Sequence, residues 1–170
     1  MKIALIADTH FGARNDSQLF LDNFTSFFEE VFFPTLKKYD ITTVIHAGDL
    51  LDRRKFINFN TLSKVREKFM DPMKKMNINV HCILGNHDTY YKNTNDLNSI
   101  KELFLDKYEN FKLYENPTTV NFDGFDIALL PWVNKENHDS SIDFINSTTA
   151  QWLIGHLELD GYEVLRGIKY

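Results

Sequence analysis

The sequence predicts an α/β fold, built in layers, with a mixed and mostly parallel sheet flanked by helices. Three observations carry this expectation. Short apolar runs alternate with longer amphipathic ones, the pattern of strand–helix–strand units. The first three short runs are nearly continuous in apolar residues, as in strands covered on both faces. No linker, repeat or low-complexity tract interrupts the 170 residues, a length that suits one domain.

The elements follow in order. "KIALIAD" reads as a buried strand. From Ser17 to Lys38, Phe20, Phe24, Phe27, Phe28 and Val31 recur at helical spacing and predict a helix that faces the core. Pro34 is expected to end or bend it. "ITTVIHAGD" is the second strand. Leu62, Val65, Phe69, Met73 and Met76 mark a second helix, and "VHCILGN" a third strand. Leu97, Ile100, Leu103 and Phe104 mark a third helix. The period then changes: "TTVNFDGFDIALLPW" reads as two strands joined at Asp123-Gly124, a hairpin signal. A short helix near Ser141 to Asn146 and a last strand, "QWLIGH", follow.

Bulk properties narrow the function. The net charge of −5 excludes a basic plate for nucleic acid, although bound cations can supply positive charge toward a phosphate. The single cysteine, Cys82, permits no internal disulfide and fits a reducing cytoplasm. Asp8 cuts the first apolar run too early for a signal peptide, and no run reaches the roughly 18 apolar residues of a membrane span. The expectation is a cytoplasmic protein without a membrane partner.

Four predicted strands end alike. "KIALIADTH" ends in Asp8 and His10, "TTVIHAGD" in Asp49, "CILGNHD" in Asn86, His87 and Asp88, and "QWLIGH" in His156. In open α/β sheets, ligands bind beyond the carboxyl ends of strands, so these ends are expected to converge. Gly48, Gly85 and Gly155 each precede a polar residue, where a missing Cβ permits close approach. Asp, His and Asn without thiolate favour manganese, iron or zinc. A carboxylate such as Asp49 can bridge two ions, and an ion pair suits phosphate-ester hydrolysis. Asn86 offers a neutral oxygen to a metal. His87, its neighbour, is free to face the substrate as a general acid. His46 and His81 lie inside strands and read as core residues, and His138 as a loop residue. Arg53, Arg54 and Lys55 follow Asp49 and Asp52 directly. They read either as a solvated helix entry or as contacts to a nucleic-acid backbone.

At these residues the chain resembles the calcineurin-like metallophosphoesterase superfamily: "DTH", "GDLLD", "GNHD" and "GH" occur in that order. Within it, "AGDLLDRRK", "GNHDTYYKN", "NPTTVNFDGFDIALLPW" and "GHLELDGYEVLRGIK" are similar to the nuclease subunits of SbcCD-type DNA repair complexes, including those of T4-like phages. The resemblance implies a metallophosphoesterase-type fold and a metal-dependent DNA exo- and endonuclease. It implies two divalent ions, manganese first and magnesium as the second choice. Asp8 and His10 would hold one ion, Asn86 and His156 the other, and Asp49 would bridge them. His87 would assist catalysis, and Asp88 would orient His87. Asp52 stands where relatives carry either histidine or aspartate. The implied partners are DNA, an SMC-like ATPase subunit and a second copy of the chain, the last through Thr61 to Met76 and Leu97 to Phe104.

The same resemblance implies a later GHxH motif with two more ligands, a DNA-capping region and an ATPase-docking segment, none of which occurs in the 170 residues. The expectation is one nuclease domain over residues 1–170, C-terminally incomplete, folded, weakly metal-binding and nearly inactive. Two other functions fit the same residues. One is a cyclic-nucleotide phosphodiesterase or protein phosphatase of the same fold. The other is an inactive module that binds DNA ends or protein.

Overall fold

The structure, a computed structural model, describes residues 1–158 and, beyond them, the strands Glu163–Leu165 and Ile168–Lys169. Most of the block "GHLELDGYEVLRGIK" therefore lies outside the described residues.

Strands β1 (Ile3–Ile6), β2 (Thr43–His46), β3 (Asn79–Ile83) and β4 (Phe111–Tyr114) form one parallel sheet in that order. Its register pairs Ile6 with His46 and His46 with Cys82, so the first three strands end level. β4 has no counterpart among the sequence expectations. Its run is only four residues long, with Lys112 between Phe111 and Leu113.

The later strands form a separate sheet rather than extending the first. β5 (Thr118–Phe122) and β6 (Phe125–Leu130) make the expected hairpin, and β7 (Trp152–Gly155) joins β6 in parallel. Pro117 lies at the junction of β4 and β5 and has no N–H to continue a ladder. β8 (Glu163–Leu165) and β9 (Ile168–Lys169) form a two-stranded antiparallel pair.

Helix α1 covers 18–38 as Gln18–Phe27, a π segment Phe28–Phe32, and Phe33–Lys38. Helix α2 covers 59–75 in the same way, with a π segment Arg66–Met70 between Phe59–Val65 and Asp71–Lys75. Each π segment ends two residues before a proline, Pro34 or Pro72. A proline ring clashes with the carbonyl four residues back in a regular helix. The wider π turn relieves this clash, so Pro34 does not end its helix. Short α3 (Lys101–Leu105) and α4 (His138–Ser147) follow.

Two apolar cores result. The larger lies between the helices and the parallel sheet, where Phe28 packs against Phe11 and Phe69 with ring centroids 5.7 and 4.9 Å apart. Burial of each such ring stabilises the fold by about 1.5–3 kcal/mol. The second joins the two sheets through Ile45, Ala47, Ile83, Phe122, Ile127 and Leu129. His46 and His81 are buried, as their strand positions imply. The Phe-rich first helix is not wholly core. Phe20 and Phe27 are 39% and 42% exposed, because they lie off the stripe that carries Leu21, Phe28 and Phe32. No helix among the described residues is long and apolar enough to cross a membrane.

Candidate metal centre

The level ends of β1, β2 and β3 bring Asp8, Asp49 and Asn86 to one edge of the parallel sheet. The second sheet adds His156. Leu130 pairs with Gly155, and His156 donates its backbone N–H to Leu130 O at 3.1 Å. Two bonds tie the sheets together at this edge: Trp132 N–H to Leu84 O at 2.8 Å, and His156 Nδ1–H to Ala47 O at 2.9 Å. A carbonyl only accepts, so His156 Nδ1 carries the proton and Nε2 points into the cleft.

The side chains then form a continuous set. His10 Nε2 lies 3.7 Å from Asp8 Oδ1 and 3.5 Å from Asp49 Oδ2. His156 Nε2 lies 3.5 Å from Asp49 Oδ2 and 3.0 Å from Asn86 Oδ1. All five residues expected to ligate metal therefore line one cleft. Two groups of donor atoms, each within 4.8 Å, share Asp49: His10–Asp49–His87 and Asp8–Asp49–His156. Asp52 joins them, its Oδ1 3.5 Å from His10 Nδ1.

The backbone is strained at this edge. Asp8, His10 and Asp49 have φ of 53°, 39° and 55°, a region that costs a non-glycine residue about 1–3 kcal/mol. Two glycines are required by close approach. A Cβ at Gly48, where φ is 93°, would stand 2.7 Å from both Gly85 N and His156 Nδ1. A Cβ at Gly85 would collide with the Asp49 carboxylate and backbone N. Gly155 is less constrained, a Cβ there meeting Leu157 at 3.2 Å.

Burial of the cleft works against charge, and the pairing works for it. Burial opposes ionisation of Asp49, but the His156 hydrogen bond and the His87 amide hold its carboxyl below the usual range. Burial likewise opposes charge on His156, yet the Asp49 carboxylate raises its pKa to about 9. A proton on His156 Nε2 is thus held by Asn86 Oδ1 and Asp49 Oδ2, the same oxygens that would face a cation.

Asp88 makes different contacts from those expected. The Asp88 carboxylate is fully buried and accepts from the backbone N–H of Asp49, Leu50 and Gly85 at 2.8, 3.0 and 2.9 Å. Burial pushes it up to about 7 while these amides pull it down. The expectation that Asp88 orients His87 is therefore corrected. That role falls to the Asp52 carbonyl, which accepts from His87 Nδ1. A main-chain carbonyl leaves no side-chain signature in a sequence. The His87 backbone N–H meets Asp49 Oδ1 at 2.7 Å, and its ring stands perpendicular to that of His10, centroids 4.8 Å apart.

The basic residues stand beside the cleft rather than in it. Arg53 pairs with Asp16 at 3.0 Å, and Arg54 reaches Thr89 Oγ1 at 3.2 Å. Lys55 lies over the Tyr90 ring at 5.3 Å. Sequence reasoning did not single out Trp132, whose ring stands edge-on to His156 at 6.5 Å. Its only signal was the "PW" that closes the β6 block.

The residues fit a divalent cation. The donors are nitrogen and oxygen without thiolate, a set suited to manganese, iron or zinc. The His156 tautomer is fixed by a carbonyl behind it, the usual support of a metal-bound imidazole. Buried His10 Nδ1 has no hydrogen-bond partner among the described residues.

Comparison with known proteins places the chain in a family. The family described as calcineurin-like phosphoesterase matches residues 1–167. Exonuclease subunit 1 of Enterobacteria phage T4 is 38% identical over 173 residues, covering 99% of this chain and 49% of the phage protein. The chain thus spans about half the length of that curated relative. The crystal structure of a protein of unknown function from Aquifex aeolicus is similar at 19% identity and a TM-score of 0.43, over 94% of this chain and 80% of that one. Matched by the family over nearly its whole length, the chain belongs to the calcineurin-like phosphoesterase family.

Proposed function

We propose that this chain is the nuclease domain of a DNA recombination and repair complex and hydrolyses phosphodiester bonds with two divalent ions. The single observation that carries the reading is Asp49, a buried carboxylate shared by two groups of metal-competent side chains. In this reading Asp8 and His10 would hold one ion and Asn86 and His156 the other, with Asp49 serving both; this division follows the family resemblance, while the donor groups themselves set Asp8 with His156 and His10 with His87. The family resemblance favours manganese, with magnesium as the second choice, and manganese is among the metals that this donor set suits. The ions supply an activated water and neutralise charge on the phosphoryl oxygens. His87, its Nδ1 fixed by the Asp52 carbonyl, presents Nε2 to the leaving oxygen and supplies its proton. Asp88 holds the amides of the loop that carries Asp49. Arg53, Arg54 and Lys55 contact the DNA backbone at the rim.

The 38% identity to a phage exonuclease subunit supports DNA as substrate and a complex as the working form. The partner in this reading is an SMC-like ATPase, in the cytoplasm of the cell where the complex acts. A second copy packs on the stretches Thr61 to Met76 and Leu97 to Phe104, where Leu97 is exposed and exposed Phe59 stands beside the first stretch.

The test is hydrolysis of linear DNA in manganese, magnesium or EDTA, beside cyclic nucleotides and phosphopeptides. Both the 170-residue chain and a chain extended to the length of the phage relative are assayed. Manganese-dependent DNA hydrolysis that EDTA abolishes is expected. Cleavage of phosphopeptides or cyclic nucleotides but not DNA would overturn the reading.

A further inference from the structure

Beside Asp8 an open groove of about 470 Å³ runs between the end of β1 and the exposed side of α1. Its walls are Phe20, Phe24 and Phe27, and the Asn23 amide lies among them. Phe20 and Phe27 are 39% and 42% exposed, so each ring presents part of its surface to the groove even though Phe27 also packs against Phe28 and Phe32. Arg14 lies over the Phe20 ring at 5.8 Å and places a cation at the groove rim. Asp8 belongs both to this groove and to the candidate metal centre. Asp8 thus places the mouth of the groove next to the metal centre.

We infer that this groove is a nucleobase subsite for the nucleotide next to the scissile phosphate. The inference rests on the nuclease reading above and adds to it where the substrate strand runs. Every base presents a π-face to an aromatic wall, so stacking here is tolerant of sequence. Asn23 offers both a donor and an acceptor to a base edge. Arg14 is placed to meet the following backbone phosphate. The groove has room for a base and its sugar, whereas a simple phosphate monoester would leave the three phenylalanines unused.

Two readouts test this. First, an oligothymidylate carrying one 2-aminopurine is titrated against the extended chain in calcium-containing buffer, and stacking is read as fluorescence quenching. Second, hydrolysis of thymidine 5′-(p-nitrophenyl phosphate) is compared with that of methyl p-nitrophenyl phosphate in manganese. Phe20→Ala and Phe27→Ala are set beside Val31→Ala, an exposed residue of the same helix away from the groove. The subsite predicts quenching in wild type, weakened by roughly 10-fold in affinity in each Phe variant. It also predicts a similar fall in selectivity for the nucleoside ester, through KM, and no such change in Val31→Ala. Wild-type quenching equal to that of the Phe variants would overturn the subsite even if the enzyme cleaves DNA. Variant-sensitive quenching without any hydrolysis would keep the subsite and overturn the nuclease reading instead.

Discussion

The Asp88 carboxylate accepts the backbone N–H of Asp49 at 2.8 Å. The same carboxylate takes the amides of Leu50 and Gly85, so one buried side chain joins the loops after β2 and β3. Those loops carry Asp49 and Asn86. Asp88→Asn keeps the shape but offers an NH₂ group where amide donors converge. A buried donor left unsatisfied, together with a lost charged acceptor, costs about 3 kcal/mol. Urea unfolding of the variant should show that loss. A stability equal to wild type would mean that the loops are set by other contacts.

Asp49 should matter most for metal. Its carboxylate lies 3.5 Å from both His10 and His156 and is common to both donor groups, whereas Asp8 belongs to one group and stands 3.7 Å from His10. Loss of a ligand costs at least about 10–100-fold in metal affinity. Asp49→Asn should therefore lower manganese affinity by at least that factor, and more than Asp8→Asn does, in calorimetric titration. A larger loss in Asp8→Asn would remove the shared-ligand role from Asp49.

Much of this site was legible before any coordinates. Strand runs that end in Asp8, Asp49 and Asn86 converge because parallel strands in register end level, whereas His156 ends a strand run as expected but reaches the site from the second sheet. The helices were legible from their apolar period. Three features were not. Phe111–Tyr114 is too short and too mixed to stand out as a strand. The partner of Asp88 is a set of backbone amides, and the partner of His87 is a carbonyl, so neither pairing leaves a residue pattern. The later strands pair among themselves and not with the first sheet, a long-range choice that local alternation does not encode.

His46 should make the fold acid-sensitive. It is fully buried, and burial lowers its pKa to about 3 despite the Asp49 charge. Thr9 uses its hydroxyl proton on Leu50 O, so His46 Nε2 donates to Thr9 Oγ1, and Nδ1 is left without a partner among the described residues. The unfolded chain takes up this proton near pH 6.5. Between those values the unfolded state binds more protons, so stability rises with pH and falls as pH drops below about 6.5. The slope from this group approaches about 1.4 kcal/mol per pH unit well below 6.5. Urea midpoints at falling pH should show it, and His46→Leu should flatten the dependence. The same slope in both proteins would assign acid sensitivity elsewhere.

The last prediction separates two roles for His87. It belongs to a donor group with His10 and Asp49, which suits a ligand. Yet its backbone N–H is already spent on Asp49 Oδ1, and the Asp52 carbonyl fixes its ring, which suits a proton donor held toward substrate. A proton donor contributes about 10²–10⁴-fold to turnover and little to metal binding. In the extended chain, His87→Gln should then lose turnover by about that factor while manganese affinity, read by calorimetry, stays close to wild type. Gln cannot supply the proton, but its length and polarity leave the cleft filled. A ligand would behave differently: affinity itself would fall by about 10–100-fold, and excess manganese would restore part of the rate. Recovery of turnover at high manganese would therefore move His87 from acid to ligand.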